Sequence, residues 1–313
     1  MGKKMSERET IEKHQKFLQN EELIDIIKLD SIGTTSQPWS FLKLTCLFSY
    51  AYFTYAPIIK KNGYKNMCYV DLFSGTGLDT FEDYGGKKQH LLGSPVLMST
   101  FDRTPFDRCY FFENDGHELL TKRLQLLKEK GKLTSTCKVY SSDCNESIDS
   151  LINELRDLDE AHFLLFVDPF STEIHWSTMD KLLSMRYPHF DMLFNFNSFG
   201  INRKTSWEKY LPQFFSDESY KKCLSVPQTK RLDCYKEIYI NKLKQYKNVK
   251  TLKVIKISSG SGFYYDLIYT TRKENAGYAK GIDHLKSIIE KMTGFDISVT
   301  TDSSMRTLDS YFE

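Results

Sequence analysis

The sequence lacks the usual features of a zinc-binding, secreted or membrane-spanning protein. Its seven cysteines are scattered over 313 residues without a C-x-x-C pair. This spacing supports neither a zinc site nor a disulfide framework. We therefore expect no metal site, and reduced cysteines that pack as small hydrophobic side chains.

Long apolar segments are also missing. Residues 1–12 are charged and contain no apolar core of a signal peptide. The nearest approach to a membrane span, Phe41 to Ile59, contains Lys43 and Pro57, and it is better interpreted as a buried helix. These absences favour a cytoplasmic protein with no membrane partner.

The chain has no large excess of charge of either sign. It contains 43 Lys and Arg against 41 Asp and Glu, for a formal net charge of +2. This balance neither demands nor excludes a nucleic-acid partner, because a local basic face can exist within a nearly neutral total.

Apolar strand-like runs alternate with helical segments between residues 67 and 196. Such alternation predicts an α/β fold with a doubly wound, mostly parallel sheet, and continuous apolar runs fit strands buried on both faces. We expect a helical N-terminal extension over 1–66, the α/β core over 67–196, a helical insertion or cap over 197–248, and a final β-hairpin with a helix over 249–313.

A glycine turn follows the first strand of this pattern. The segment from Asp71 to Gly77 reads D-L-F-S-G-T-G, and glycine lets a backbone approach a ligand at the carboxyl end of a strand. The segment lacks both the dinucleotide spacing and the Lys-Ser/Thr pair of a P-loop. It resembles the D-x-F-x-G-x-G motif of S-adenosylmethionine-dependent methyltransferases, and it makes Asp71, Phe73, Gly75 and Gly77 candidate cofactor-binding residues.

Carboxylates follow the next two strands. Glu113 ends the second strand, where it can accept hydrogen bonds from ribose hydroxyls or lie on the surface. Asp143 follows the third strand, where its carboxylate can bind an adenine amino group or cap the next helix. Between the first two strands, Gly93-Ser94-Pro95 predicts a helix start with Ser94 as its cap.

Asp168-Pro169-Phe170 closes the fourth strand and is the predicted catalytic position. It resembles the [D/N]-P-P-[Y/F] motif of amino methyltransferases, with one proline instead of two. The resemblance implies that Asp168 and a proline carbonyl accept hydrogen bonds from a target amine while Phe170 stacks on a flipped base. The alternative is an ordinary Asp-Pro turn at the end of the sheet.

Two further features bear on the substrate. Asn195 and Asn197 end the fifth strand, where they orient substrate or bond loop backbone. Arg203 and Lys204 begin the insertion, where they contact phosphate or, as the favoured alternative, lie in a solvated loop. Seven further residues make the insertion basic, with Tyr and Phe interleaved: Lys221, Lys222, Lys230, Arg231, Lys242, Lys244 and Lys247. That composition is typical of nucleic-acid binding, and equally of a solvated helical cap.

In order and spacing these segments resemble the three-Cys-motif partner protein family (TcmP). The matching segments are Asp71 to Gly77, Gly93 to Pro95, Phe112 to Asn114, Asp143 to Asn145, Phe166 to Phe170 with Trp176, and Asp191 to Phe196. The resemblance implies a class I methyltransferase core of seven strands whose last two form an antiparallel pair. It also implies S-adenosyl-L-methionine as cofactor and a partner protein that carries the cysteine motif. We expect a methyltransferase that acts on nucleic acid, with a base amine as the acceptor; the alternative is a non-catalytic or regulatory partner in a complex.

Overall fold

A seven-stranded sheet lies at the centre of the computed structural model. The residues that the structure describes are 9, 16–29, 34–35, 40–82, 88–197, 201, 209–258, 264–274 and 277–289. In chain order the strands are β1 (Thr34–Thr35), β2 (Asn66–Asp71), β3 (Leu78–Glu82), β4 (Lys88–Leu92), β5 (Arg108–Phe112), β6 (Thr136–Tyr140), β7 (Ala161–Val167), β8 (His189–Phe196), β9 (Thr251–Ser258) and β10 (Tyr264–Thr271).

The large sheet has the strand order β6-β5-β2-β7-β8-β10-β9. Five adjacent strands are parallel to one another: β6, β5, β2, β7 and β8. Strand β10 runs antiparallel to both of its neighbours, β8 and β9. The prediction of a mostly parallel α/β sheet is confirmed. The final hairpin extends that sheet, with its second strand inserted between β8 and its first strand.

Both faces of the sheet are covered by apolar layers. Along β2, Met67 and Tyr69 belong to one core cluster, whereas Cys68 and Val70 belong to the other. All residues of β7 are buried. This double burial explains why the strands are continuous apolar runs instead of alternating ones.

Helices flank the sheet on both sides. They are α1 (Glu21–Ile27), α2 (Ser40–Tyr50), α3 (Ala56–Lys61), α4 (Ser94–Ser99), α5 (His117–Glu129), α6 (Cys144–Arg156), α7 (Trp176–Leu183), α8 (Leu211–Phe215), α9 (Lys221–Leu224), α10 (Gln228–Leu243) and α11 (Gly277–Ile289). The buried helix expected around Phe41 to Ile59 is present, but a π-helical turn at Ala51–Tyr55 joins α2 to α3. None of the described helices is long and apolar enough to cross a membrane.

A second, three-stranded sheet was not predicted. Its order is β1-β3-β4, with β1 parallel and β4 antiparallel to β3. The N-terminal extension, expected to be helical, therefore also contributes a strand. β1 is two residues long and β3 carries Asp79 and Thr80, so neither strand has an apolar run that reveals it.

The expectation that all cysteines are reduced is wrong for one pair. A disulfide joins Cys223 in α9 to Cys234 in α10, with Cα atoms 5.7 Å apart. The turn between the two helices brings the thiols together, and a spacing of 11 residues does not reveal this contact. Cys46, Cys68, Cys109, Cys137 and Cys144 are unpaired and are buried or partly buried.

Candidate functional site

A cavity of about 500 Å³ opens at the carboxyl ends of the parallel strands. It collects residues that follow β2, β5, β6 and β7, as expected of a parallel sheet. Seven of the nine predicted site residues line it: Phe73, Gly75, Glu113, Asp143, Asp168, Pro169 and Phe170. Asp71 and Gly77 do not line it, and they act on the shape of the glycine turn instead.

Asp71 is fully buried beneath the turn. Its Oδ2 accepts hydrogen bonds from the hydroxyls of Ser94 (2.6 Å) and Tyr69 (3.0 Å), and its Oδ1 accepts one from the backbone N–H of Phe73 (3.2 Å). Burial raises the pKa of Asp71 to about 7, although the Ser94 and Tyr69 hydrogen bonds oppose the rise. The carboxyl group therefore joins β2, the turn and α4.

The prediction that Ser94 caps α4 is wrong. Gly93 is the N-cap residue, and Ser94 is the first residue of the helix. Its hydroxyl donates to Asp71 instead of to the helix backbone. A buried carboxylate is a strong hydrogen-bond acceptor, so the Ser94 hydroxyl bonds to Asp71 and does not cap the helix.

Gly77 provides a close backbone approach instead of a cavity wall. Its φ is +83°, and a Cβ there would lie 3.0 Å from Val96 Cγ2 and 3.2 Å from Leu120 Cδ1. The N–H of Gly93 donates to the carbonyl of Gly77 at 2.9 Å. Because side chains rarely adopt this φ and the space is filled, glycine is needed here for packing.

Glu113 is held at the end of β5 by the turn that follows it. Its Oε1 accepts the backbone N–H of Gly116 at 2.7 Å, just before α5 begins. The glycine turn is tied to the same strand end, because the N–H (3.0 Å) and hydroxyl (2.9 Å) of Ser74 both donate to the carbonyl of Phe112. The two candidate cofactor-binding segments are therefore fixed relative to each other.

Asp143 caps α6, so one of its two expected roles is observed. Its Oδ1 accepts the backbone N–H of Asn145 at 2.8 Å, which satisfies a helix N-terminus. The residue is exposed and also lines the cavity. Capping and contact with a ligand are therefore compatible at this position.

Asp168 lies between two side chains that hold its carboxylate from either side. Lys43 Nζ lies 2.6 Å from Oδ2, and Asn195 Nδ2 donates to Oδ1 at 2.7 Å. Lys43 and Asp168 are each only 15 % exposed. The ion pair joins α2 to the end of β7 across the cavity.

Phe170 is the most exposed large hydrophobic residue of the described chain, at 77 %. Asn197 Nδ2 donates to its carbonyl at 2.6 Å, which fixes the backbone while the ring remains free of the core. Pro169 beside it is buried. An aromatic ring held at the rim of a polar cavity is suited to stacking on a planar ligand.

Carboxylates dominate the charged residues of the cavity wall. Six of its described lining residues are acidic: Asp79, Glu113, Asp115, Asp143, Asp168 and Glu173. Within the described lining, Lys43 is the single Lys or Arg. Burial raises the pKa of Asp79 to about 6, with Lys43 opposing and Asp168 reinforcing the rise. This wall favours a positively charged ligand over a polyphosphate.

Sequence reasoning missed several of the lining residues, among them Lys43, Asp79 and Tyr265. Lys43 belongs to α2, about 125 positions before the residue it contacts, and it drew attention only as a charge within an apolar helix. Asp79 lies in the unpredicted strand β3. Tyr265 lies in the hairpin strand β10. Asn195 and Asn197 were expected to orient substrate or to bond loop backbone. Both line the cavity, and Asn197 bonds the backbone carbonyl of Phe170.

Much of the basic character of the insertion is paired or dispersed. Lys221 bonds Glu218 at 2.5 Å, and Lys242 bonds Asp217 and lies 4.6 Å from the centre of the Trp176 ring. Lys222, Lys230, Lys244 and Lys247 are exposed. Arg203 and Lys204 lie outside the described residues.

A second cavity, of about 540 Å³, opens at the opposite edge of the sheet. Residues around the amino ends of β2, β7 and β8 form its wall, including Tyr64, Tyr187 and His189. No predicted site residue contributes to it.

Comparison with known proteins identifies no family. No family model matches the sequence, and no curated protein matches it. Among solved structures, the chain is similar to the crystal structure of protein LPL1258 from Legionella pneumophila str. Philadelphia 1, described with the family model DUF519. That similarity has a TM-score of 0.45 and 12 % sequence identity, and it covers 79 % of this chain and 91 % of that chain. A likeness of this strength carries no argument about function.

Proposed function

We propose that this protein is an S-adenosylmethionine-dependent methyltransferase of class I architecture. The observation that carries the proposal is the convergence of four strand ends on one cavity, which brings the glycine turn, Glu113, Asp143 and Asp168 together. The insertion of β10 between β8 and β9 agrees with the antiparallel final pair expected of such a core.

The chemistry of the cavity wall suits the cofactor. Bound S-adenosylmethionine would supply an electrophilic methyl group on a positive sulfonium. Six lining carboxylates favour that charge, and they disfavour the phosphates of NAD or ATP. In this proposal Phe73 and Gly75 form the wall against the cofactor, Glu113 accepts its ribose hydroxyls, and Asp143 accepts its adenine amino group.

The acceptor side consists of Asp168, Pro169 and Phe170. We assign Asp168 to hydrogen bonding with the acceptor nitrogen, because its carboxylate lies at the cavity wall with low exposure. Phe170 presents an exposed ring that suits stacking on a base. A nucleic-acid base amine is therefore our proposed acceptor, and the protein's contribution is to position it for in-line attack on the methyl group.

A non-catalytic role is the second candidate. One observation favours it: both carboxylate oxygens of Asp168 already have partners, Lys43 and Asn195. In that case the fold, and with it a bound cofactor, serves a complex with a three-Cys-motif partner protein, as the sequence resemblance to TcmP implies.

Methyl transfer from labelled S-adenosylmethionine distinguishes the two candidates. The purified protein is incubated with DNA, RNA and copurifying protein, and cofactor binding is measured separately by calorimetry. Catalysis predicts incorporation that Asp168→Ala abolishes while cofactor affinity is kept. Unchanged transfer by Asp168→Ala would refute the role of Asp168. Binding without transfer to any acceptor would favour the non-catalytic candidate.

A further inference from the structure

We propose that Lys43 occupies the acceptor subsite of the resting protein, so that a primary amine must displace its ammonium group before methyl transfer. The inference rests on the proposed function and adds to it a specificity-determining residue, Lys43, and a structural reason why the subsite takes a primary amine. Three features of the described residues carry it: the contact of Lys43 with Asp168, an unpaired acceptor atom on Asn195, and the negative charge of Asp79 near Lys43 and Asp168.

Lys43 reaches the acceptor residue from a different layer of the fold. It lies in the first turn of α2, and its ammonium contacts Asp168 Oδ2 at 2.6 Å with 15 % exposure. An ammonium group presents N–H donors to the same carboxylate to which an acceptor amine would donate. The resting contact therefore mimics the expected contact with substrate.

Asn195 supplies a second hydrogen-bond acceptor that is unused. Its Nδ2 donates to Asp168 Oδ1 at 2.7 Å, which fixes the amide orientation because an ionised carboxylate only accepts. Its Oδ1 is buried and has no hydrogen-bond partner, and the residue is 3 % exposed while lining the cavity. A buried acceptor without a donor is costly, and a ligand N–H would relieve that cost.

Together these atoms define a subsite for two N–H donors. Asp168 Oδ2 and Asn195 Oδ1 are both acceptors, and they flank the same carboxylate–amide pair. A primary amine can donate to both, whereas a hydroxyl has one donor and a carbon acceptor has none. Asp79, which interacts electrostatically with Lys43 and Asp168, adds negative potential. The subsite therefore selects primary amines.

Lys43→Ala tests the inference, because it empties the subsite for a small amine. Ethylammonium chloride is the probe, and tetramethylammonium chloride at equal ionic strength is the control, since it carries the charge without N–H donors. We expect ethylammonium to raise the melting temperature of Lys43→Ala saturably, by about 2–4 °C at ten times its dissociation constant. Neither the wild type nor Lys43→Ala/Asp168→Asn should show this rise. An equal response to the two salts, or from all three proteins, would overturn the proposal.

Methyl transfer to the probe separates an acceptor subsite from a merely structural ion pair. In the expected step, bound ethylammonium gives one proton to Asp168, and Asp168 passes that proton to water. The freed nitrogen lone pair forms the N–C bond as the C–S bond breaks, and the electron pair of that bond remains on sulfur. The products are N-methylethylammonium and S-adenosylhomocysteine, and the one proton released is the one that ethylammonium gave up before attack. Mass spectrometry should detect N-methylethylamine after incubation with Lys43→Ala. It should detect none with the wild type or with the double variant.

The remaining outcomes are also decisive. Thermal stabilisation without methylation, measured with cofactor bound, would mean that Lys43 has only a structural role. That result would overturn this inference but not the proposed function. Failure of all proteins to bind S-adenosylmethionine in calorimetry would overturn the proposed function as well. If Lys43→Ala does not fold, Lys43→Ser replaces it with the same expected results.

Discussion

Replacement of Glu113 by Gln removes one charge from the proposed cofactor side of the cavity and little else. Glu113 Oε1 is held by the N–H of Gly116 at 2.7 Å, and a glutamine oxygen can keep that bond. Its amide NH₂ would then replace the second carboxylate oxygen, the atom that we assign to the ribose hydroxyls. The variant therefore presents a donor where the cofactor needs an acceptor.

The magnitude follows from the value of a charge-assisted hydrogen bond. Such bonds contribute about 1.5–3 kcal/mol, so the dissociation constant of S-adenosylmethionine should rise by about 10- to 150-fold. Titration calorimetry measures this directly. Glu118→Gln is the matched control, because Glu118 is exposed in the first turn of α5 and loses the same charge away from the cavity.

The control should bind like the wild type, and both variants should melt near the wild-type temperature. An affinity of Glu113→Gln within threefold of the wild type would refute the ribose assignment. A loss shared equally by Glu118→Gln would show that long-range charge, and not contact, is responsible.

Three further predictions address packing, the acceptor side and pH. Gly77→Ala should destabilise the protein by about 1–3 kcal/mol more than Gly63→Ala in urea unfolding, because both have φ near +80° but only Gly77 has neighbours within 4 Å; equal losses would contradict the packing role. Phe170→Ala should change stability by less than about 0.5 kcal/mol, because the ring is exposed, and should weaken transfer to nucleic acid; unchanged transfer would exclude stacking. Burial raises the pKa of Asp191 to about 7, so its protonated form stabilises the fold below pH 4 and that stabilisation is lost as pH rises to 7. In thermal melts, Asp191→Asn should therefore lose less stability than the wild type between pH 5 and 8; parallel profiles would refute this.

The sheet was predictable because its signals are local. Each parallel strand is a short apolar run bounded by polar residues, and burial on both faces produces that run directly. The carboxyl ends of parallel strands meet at one edge, so Glu113, Asp143 and Asp168 could be placed at one site before any coordinates.

The missed features depend on contacts between distant segments. Lys43 lies in an apolar helix whose pattern indicates packing, and its ion pair with Asp168 exists only because that helix crosses the strand ends. The disulfide between Cys223 and Cys234 depends on a helix turn, and the small sheet depends on a two-residue strand. None of these leaves a periodic signal in the sequence.

Asp71 and Gly77 illustrate a different limit. The glycine turn that contains them follows β2, as predicted, but the sequence of the turn cannot tell which residues face the cavity and which support the turn from below. Burial and hydrogen bonding make that distinction: Asp71 is fully buried with three donors, and Gly77 contacts Val96 and Leu120.

Titration calorimetry with S-adenosylmethionine, S-adenosylhomocysteine and NAD tests the central claim most directly. The glycine turn, Glu113 and the acid-rich wall predict saturable one-site binding of the two sulfur compounds and no detectable binding of NAD. Failure to bind either sulfur compound, or preferential binding of NAD, would contradict the account of this cavity as a methyl-donor site.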